Sequence, residues 1–158
     1  MKGQYLKECS TIENNCTYTA EAHHIIATDS RCLSTKLQIV PAIIASLSGL
    51  LVVGKLVPEW WGWLTVLSAT ISAVAGVIDP TRTYYEHLNA AKNFTVIKQK
   101  AHSLRETFSH DMTDKELNIA VRILHDQYCD LIRCVPPTDD EAFEKARKRI
   151  QDGVHQKD

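Results

Sequence analysis

Polar and apolar positions along this chain fall into blocks with different periods. Residues 37–54 (LQIVPAIIASLSGLLVVG) and 60–78 (WWGWLTVLSATISAVAGVI) are apolar on every helical face and carry no charged side chain. Only residues 55–59 separate them. A helix needs about 20 predominantly apolar residues, with roughly 17 as the lower limit, to cross a hydrocarbon core of about 30 Å. Both runs reach that length, and the short stretch between them closes only a tight turn. The pattern predicts a transmembrane hairpin over 37–78. The alternative, a soluble helical protein with these two helices as its core, asks a small chain to bury helices that are apolar all round.

On either side of the hairpin the period becomes that of amphipathic helices. Tyr5, Ile12, Cys16, Ala20 and Ile25 recur without Pro or Gly after Gln4, predicting a long helix over 1–36 that runs into the first span. Lys36 stands at the interface and Pro41 near the start of the span, where neighbours can re-satisfy the freed carbonyl. Asp79-Pro80 marks a kink or restart, since Pro is accepted in the first turn of a helix. From 81 to about 109, Tyr85, Leu88, Ala91, Val96, Ala101, Leu104 and Phe108 predict an amphipathic helix, roughly 40 Å long at 1.5 Å per residue. Thr113 and Glu116 form a capping box opening a helix to about Arg133, with Leu117, Ala120, Val121, Leu124, Tyr128, Leu131 and Ile132 on one stripe. Pro136-Pro137 ends it. Thr138 and Glu141 repeat the capping signal for a last helix over 139–151, stopped by Gly153. The prediction is an all-α integral membrane protein, one domain over 1–158, with an N-terminal helix over 1–36, the hairpin over 37–78 and cytoplasmic helices over 79–158.

The start of the chain, MKGQYLKECSTIENN, has no apolar core of a secretory signal, so the hairpin is expected to direct insertion. Arg31, Lys36, Arg82 and Lys92 flank the terminal side of the spans against Lys55 alone in the turn, which places both termini in the cytoplasm. Trp60, Trp61 and Trp63 fit an outer interfacial belt, and Tyr84-Tyr85 an inner one. In that reducing compartment Cys9, Cys16, Cys32, Cys129 and Cys134 read as small buried apolar residues rather than disulfides; none of their spacings suits a metal site.

Catalysis finds little support. His23, His24, His87, His102, His110, His125 and His155 are scattered, with no HExxH, Gly-rich phosphate loop or nucleophile elbow, so no enzyme activity, cofactor or metal is expected. The hairpin carries more. Ser68, Ser72 and Gly76 lie four apart with Thr65 beside them, and Ala42, Ala45, Ser46 and Gly49 form a small-residue face on the first span. Small residues let membrane helices approach, with hydroxyls bonding across the contact; several hairpins around an axis would line a conduit instead. With no ionisable group in either span, the expectation is a pore of weak charge selectivity, not an ion-coupled transporter.

Lys98, Lys100, His102 and Arg105 lie on one cytoplasmic helix, and Lys145, Arg147, Lys148 and Arg149 crowd another. Such clusters are solvated faces, contacts to anionic lipid heads or, repeated around a symmetric oligomer, a ring suited to a polyanion. The cytoplasmic flank over 79–158 is near neutral, its carboxylates being as numerous as its basic groups, which argues against general, charge-driven nucleic-acid binding.

A long helix entering a tight two-span hairpin, an extended helix with Tyr84-Tyr85, Ala90-Ala91 and Leu104-Arg105, a capped helix, a Pro-Pro break and a short last helix resemble the SLATT domain family over essentially the whole chain. SLATT domains are two-transmembrane effector modules of prokaryotic conflict systems, and the stand-alone form looks most like the Hailong-type effector. The resemblance implies a membrane effector of antiviral defence in the prokaryotic inner membrane. It would be a homo-oligomer, with a tetramer as the first expectation, forming a ligand-gated ion channel that depolarises the infected cell in abortive infection. It also implies control by a nucleotide or single-stranded DNA oligomer made by a partner nucleotidyltransferase encoded nearby. The competing readings are a membrane-anchored helical adaptor, whose hairpin only tethers, and a phage-type holin.

Overall fold

The structure, a computed structural model, describes residues 2–54 and 58–153, with the side chains of Glu59 and Trp60 outside that description. The turn base Lys55, the belt position of the Trp60 side chain and His155 therefore fall outside the described residues. Among the described residues the secondary structure is helical, without a strand.

Helix α1 runs unbroken over Lys2–Val53, with Pro41 inside it. Proline has no N–H, so the Leu37 carbonyl lacks its helical donor at that turn. A 3-10 turn over Glu59–Gly62 leads into α2, Trp63–Ile78. Asp79 then serves two helices. Its left-handed backbone (φ 45°) lets its N–H donate to the Ala75 carbonyl at 3.1 Å, closing α2. Its Oδ1 accepts from the Arg82 N–H at 3.1 Å, opening α3, Pro80–Glu106. Asp tolerates that conformation better than most residues, and Pro at the first helical position forfeits a donor that would have no partner anyway.

Helix α3 stops at Glu106, short of the expected 109, and a 3-10 turn over Phe108–His110 follows. Helix α4, Asp114–Cys134, opens on the expected capping box: Thr113 Oγ1 accepts from the Glu116 N–H, and Glu116 Oε2 accepts from the Thr113 N–H at 2.8 Å. Helix α5 is Asp140–Gln151, and here the reading of Thr138 needs correction. Its cap is Asp139, whose Oδ1 accepts from the Ala142 N–H at 2.6 Å. Gly153, at φ 77°, stands where the stop was expected.

The chain divides into two compact units, residues 1–27 with 85–158, and residues 28–84. The first is a conventional helical body. Cys9, Ile12, Cys16 and Ala20 of α1 pack with Phe94, Ile97, Ala101 and Leu104 of α3 and Leu117, Val121 and Leu124 of α4. Ala22 and Ile25 meet Ala142 and Ala146 of α5 in a second cluster. The core stripe of α3 thus runs through Ala90, Ala91, Phe94, Ile97, Ala101 and Leu104; Tyr85, Val96 and Phe108, expected on it, are exposed, as is Ile132 on α4. Of the cysteines, Cys9 and Cys16 are buried as expected, but Cys32 and Cys134 are exposed.

The second unit, containing the hairpin, has the opposite character. Two helices are long and apolar enough to cross a membrane, and only 11% of each one's most apolar window is buried. Leu50, Val53, Trp63 and Val77 are 71%, 83%, 73% and 87% exposed. A core helix of a soluble protein would be mostly covered. In water these side chains would forfeit roughly 25 cal/mol for every Å² of apolar surface left uncovered.

Candidate functional site

Within the hairpin unit the buried positions on the spans are few and small. Pro41 and Ser48 are buried on α1, with Ala45 and Val52 half-buried, a stripe at three- and four-residue spacing. Ser68 is buried on α2, with Thr65 and Ala75 half-buried. Of the expected small-residue face on the first span, Gly49 and Ala45 are half-buried and Ser46 and Ala42 exposed, while Ser48 is buried. On α2, Ser72 and Gly76 are exposed.

The hydroxyls do not bond across the hairpin as expected. Ser48 Oγ donates to the Ile44 carbonyl at 2.8 Å, Ser68 Oγ to Leu64 at 2.8 Å and Ser72 Oγ to Ser68 at 3.0 Å. Ser46 and Thr65 likewise donate within their own helices, to Ala42 and Gly62. Each donor is spent on the preceding turn, so a hydroxyl sits in an apolar run with no unsatisfied proton. A Cβ added at Gly49 or Gly76 would meet nothing within 4 Å, so neither glycine serves close packing inside one chain.

At the α2–α3 junction a cavity of about 310 Å³ is lined by Ser34, Leu37, Gln38, Ser72, Ala75, Gly76, Asp79, Pro80 and Thr81. Ser34 Oγ and Thr81 Oγ1 lie 2.7 Å apart, and Gln38 Nε2 donates to Ser34 Oγ at 3.2 Å. Asp79 is the only charged side chain in that lining.

The basic clusters of the helical body are largely spoken for. Glu13 Oε1 accepts from His102 Nδ1 at 3.1 Å, and Arg105 Nη1 lies 3.0 Å from Glu13 Oε2 without the alignment of a hydrogen bond. Arg105 Nε also donates to Glu106 at 2.7 Å, and Lys100 Nζ to Gln127 Oε1 at 2.9 Å. On α5, Lys145 pairs with Glu141, Arg147 with Glu144, and Arg149 with the buried Glu21 at 3.0 Å. Lys98 is half-buried on α3 and Lys148 exposed on α5. The two clusters are brought to one unit, but most of their charge is met within the chain.

Two constellations were not expected from the sequence: one joins distant residues, and the other contains a pair four apart on α4 whose spacing could have marked it. His23 and His87, 64 residues apart, are both buried and share a hydrogen bond between their Nδ1 atoms at 2.9 Å. One imidazole must present Nδ1–H and the other a lone pair, so at most one of the two rings can carry a charge. The His23 ring also stacks on Phe94, with centroids 5.6 Å apart. Burial, then the neighbouring His87 and His24, pushes His23 down to about 4; burial likewise lowers His87, against the opposing pull of Glu86 and Asp139. Elsewhere Cys129 Sγ lies 3.4 Å from His125 Nε2, and His125 Nδ1 lies 3.2 Å from Glu8 Oε1. That relay has the order of a nucleophile, base and orienter, but His125 and Glu8 are about half exposed, so water competes for every bond. Burial pushes the Cys16 thiol up to about 12 and raises Cys9, which makes both inert apolar groups. Among the described residues no group of three or more His, Cys, Asp or Glu is placed to hold a metal ion.

Comparison with protein-family models, with curated proteins and with solved structures finds no match for this chain.

Proposed function

We propose that this chain is an integral membrane protein whose hairpin assembles with copies of itself into a gated ion channel, in the manner of SLATT-type effectors of antiviral defence. The observation that carries the reading is the exposure of apolar side chains on nearly every face of both spans, with 11% of each window buried. Lipid covers such a surface at no cost, whereas water does not. Back-bonded hydroxyls on the exposed Ser72 and the half-buried Thr65 then offer oxygen acceptors to water in a conduit without leaving a donor unmet in lipid, whereas Ser68 is covered within the chain. Gly49 and Gly76, unused inside one chain, are available for contacts between copies.

In this reading both termini are cytoplasmic, and the helical body assembles subunits and receives the signal. An anionic ligand, a nucleotide or a DNA oligomer made by a partner nucleotidyltransferase, acts there. Because most of the basic side chains are already paired with carboxylates, such a ligand must exchange ion pairs rather than fill an open basic patch. Lys98 and Lys148 are the first contacts to test.

Ion flux from purified protein reconstituted in liposomes tests the channel. Flux that a ligand switches supports it, and silence in every ligand condition overturns it. Solubility as a monodisperse species in buffer without detergent would overturn membrane insertion itself. A second reading, a membrane-anchored adaptor, draws on an apolar groove of about 590 Å³ on the helical body, lined by Val96, Leu104, Phe108 and Ile123 among others. Replacing the hairpin by an unrelated one separates the two: an adaptor keeps its activity and a channel loses it.

A further inference from the structure

The uncharged spans predict a pore of weak charge selectivity, yet the hairpin unit builds a one-signed polar chamber at the end of α2. We infer that the cavity around Asp79 is a cation vestibule at the cytoplasmic mouth of the proposed conduit, and that Asp79 sets its preference for monovalent cations over anions. The inference rests on the channel reading and adds the residue that determines what passes.

Two sources of negative potential meet there. Asp79 supplies the one formal charge in the lining, and it is the first charged residue after the apolar run 60–78. Its Oδ1 accepts from the Arg82 N–H at 3.1 Å, which holds the carboxylate in place. The carboxyl end of α2 points its dipole at the same spot: the Asp79 N–H closes on Ala75, while the carbonyls of the last turn lie beyond the helical ladder. Leu37, whose carbonyl lost its helical donor to Pro41, also lines the cavity.

The neutral lining is oxygen-rich. Ser34 Oγ and Thr81 Oγ1, 2.7 Å apart, share one proton, and Ser34 Oγ also accepts from Gln38 Nε2, so at least one lone pair remains on Thr81 Oγ1 whichever hydroxyl donates. Gly76 leaves the wall open, with nothing within 4 Å of where a side chain would begin. No basic side chain lines the cavity. The amino end of α3 opposes the carboxylate with its positive dipole, but it contributes about half an elementary charge against a full one. A volume of about 310 Å³ holds roughly ten waters at about 30 Å³ each, enough for a hydrated monovalent cation. Repeated around a symmetric assembly, one carboxylate per subunit makes a ring of the kind that selects cations.

The test is Asp79→Asn in the full-length protein, reconstituted in bilayers under a KCl gradient. Asn still accepts at a helix amino end and still tolerates the left-handed conformation, so only the charge is removed. We expect the wild type to pass potassium over chloride by roughly tenfold or more, and the variant to approach no preference while still conducting. On the wild type alone, the preference should fall as KCl rises from about 0.01 to about 1 M, because the screening length drops from about 30 to about 3 Å. A conducting variant with unchanged preference, or a wild-type preference independent of salt, overturns the vestibule and leaves the channel standing. A wild type silent in every condition overturns both.

Discussion

Acidification should loosen the helical body through one buried contact. His23 titrates at about 4 instead of the ordinary 6.5, because burial disfavours its charged form and His87 and His24 crowd it. A base whose folded value lies below its unfolded value gives stability that is complete above the unfolded value and is lost as pH falls toward the folded one. The window is therefore pH 6.5 down to about 4. Over it the unfolded chain takes up a proton that the folded chain refuses. At 1.36 kcal/mol per pH unit the loss reaches about 3 kcal/mol for His23 alone, and His87 shifts in the same direction. Glu86 and Asp139 pull His87 the other way, so the His23 side of the pair leads. Once both rings are protonated there is no acceptor between the two Nδ1 atoms, and two positive charges face each other 2.9 Å apart.

Amide hydrogen exchange along α3, corrected for the intrinsic rate at each pH, reads this locally. Between pH 6.5 and 4, protection near Phe94 and Ala91 should fall by about 10² to 10³. The control is the double variant His23→Leu, His87→Leu, which keeps the site filled and removes both titrating rings. Its protection should depend on pH far less, whatever the surrounding carboxylates contribute. Equal pH dependence in wild type and double variant would refute the reasoning.

Three further outcomes follow from the geometry. Thr113→Ala should cost the start of α4 about 1 kcal/mol by removing the acceptor for the Glu116 N–H, measured by denaturant unfolding; the two Thr113 bonds that lower the Glu116 value also make this cap weaken as pH falls through it. Gly76→Ala should leave the helix content of a single chain unchanged, since its Cβ meets open space, while altering the size of the detergent-solubilised assembly if copies pack there; unchanged size on a sizing column removes Gly76 from the contact. Arg105→Glu sets a carboxylate against Glu13, which is 15% exposed, and should lower the melting temperature, so that any growth defect of the triple change Lys98→Glu, Lys100→Glu, Arg105→Glu reports folding as well as ligand loss. The same defect from Lys98→Glu with Lys148→Glu would point to the ligand.

Local chemistry was legible in the sequence, and long-range pairing was not. The two apolar runs and the box at Thr113 and Glu116 depend on residues close together in the chain, and the helices follow them. Asp139 and Thr138 show the limit: both suit a helix start, and only the reach of Asp139 Oδ1 to the Ala142 N–H decides between them. On α3 the buried stripe is alanine-rich, so the larger Tyr85, Val96 and Phe108 drew attention although they point outward. Ser46 and Ser48 are two positions apart, about 200° around a helix, and a run that is apolar on every face gives no period to choose between them. The basic clusters looked open because their partners Glu13 and Glu21 sit on α1, 89 and 128 residues from His102 and Arg149. For His23 and His87 nothing in the sequence marks the pair.

The buried hydroxyls of the hairpin add little to the binding between α1 and α2. Ser48 is 4% exposed and Ser68 is 3% exposed, yet both donate to carbonyls of their own helices at 2.8 Å, so neither proton joins α1 to α2. Replacing Ser68 by Ala removes an oxygen that competes mildly with its own helix and leaves no donor unmet. The expected change in hairpin stability is therefore small, below about 1 kcal/mol, compared with the 1–2 kcal/mol that hydrogen bonds between membrane helices give in model peptides. Ser68→Leu should be worse by overpacking, at about 1–3 kcal/mol, because the site is covered and admits no added methylene. Tryptophan fluorescence during thermal unfolding in detergent measures both. A loss of 2 kcal/mol or more from Ser68→Ala would mean that this hydroxyl bonds across to another helix. Among the described residues the hydroxyls of Ser46, Ser48, Thr65, Ser68 and Ser72 all donate back along their own segments, so a shift of α2 against α1 would break none of these hydrogen bonds.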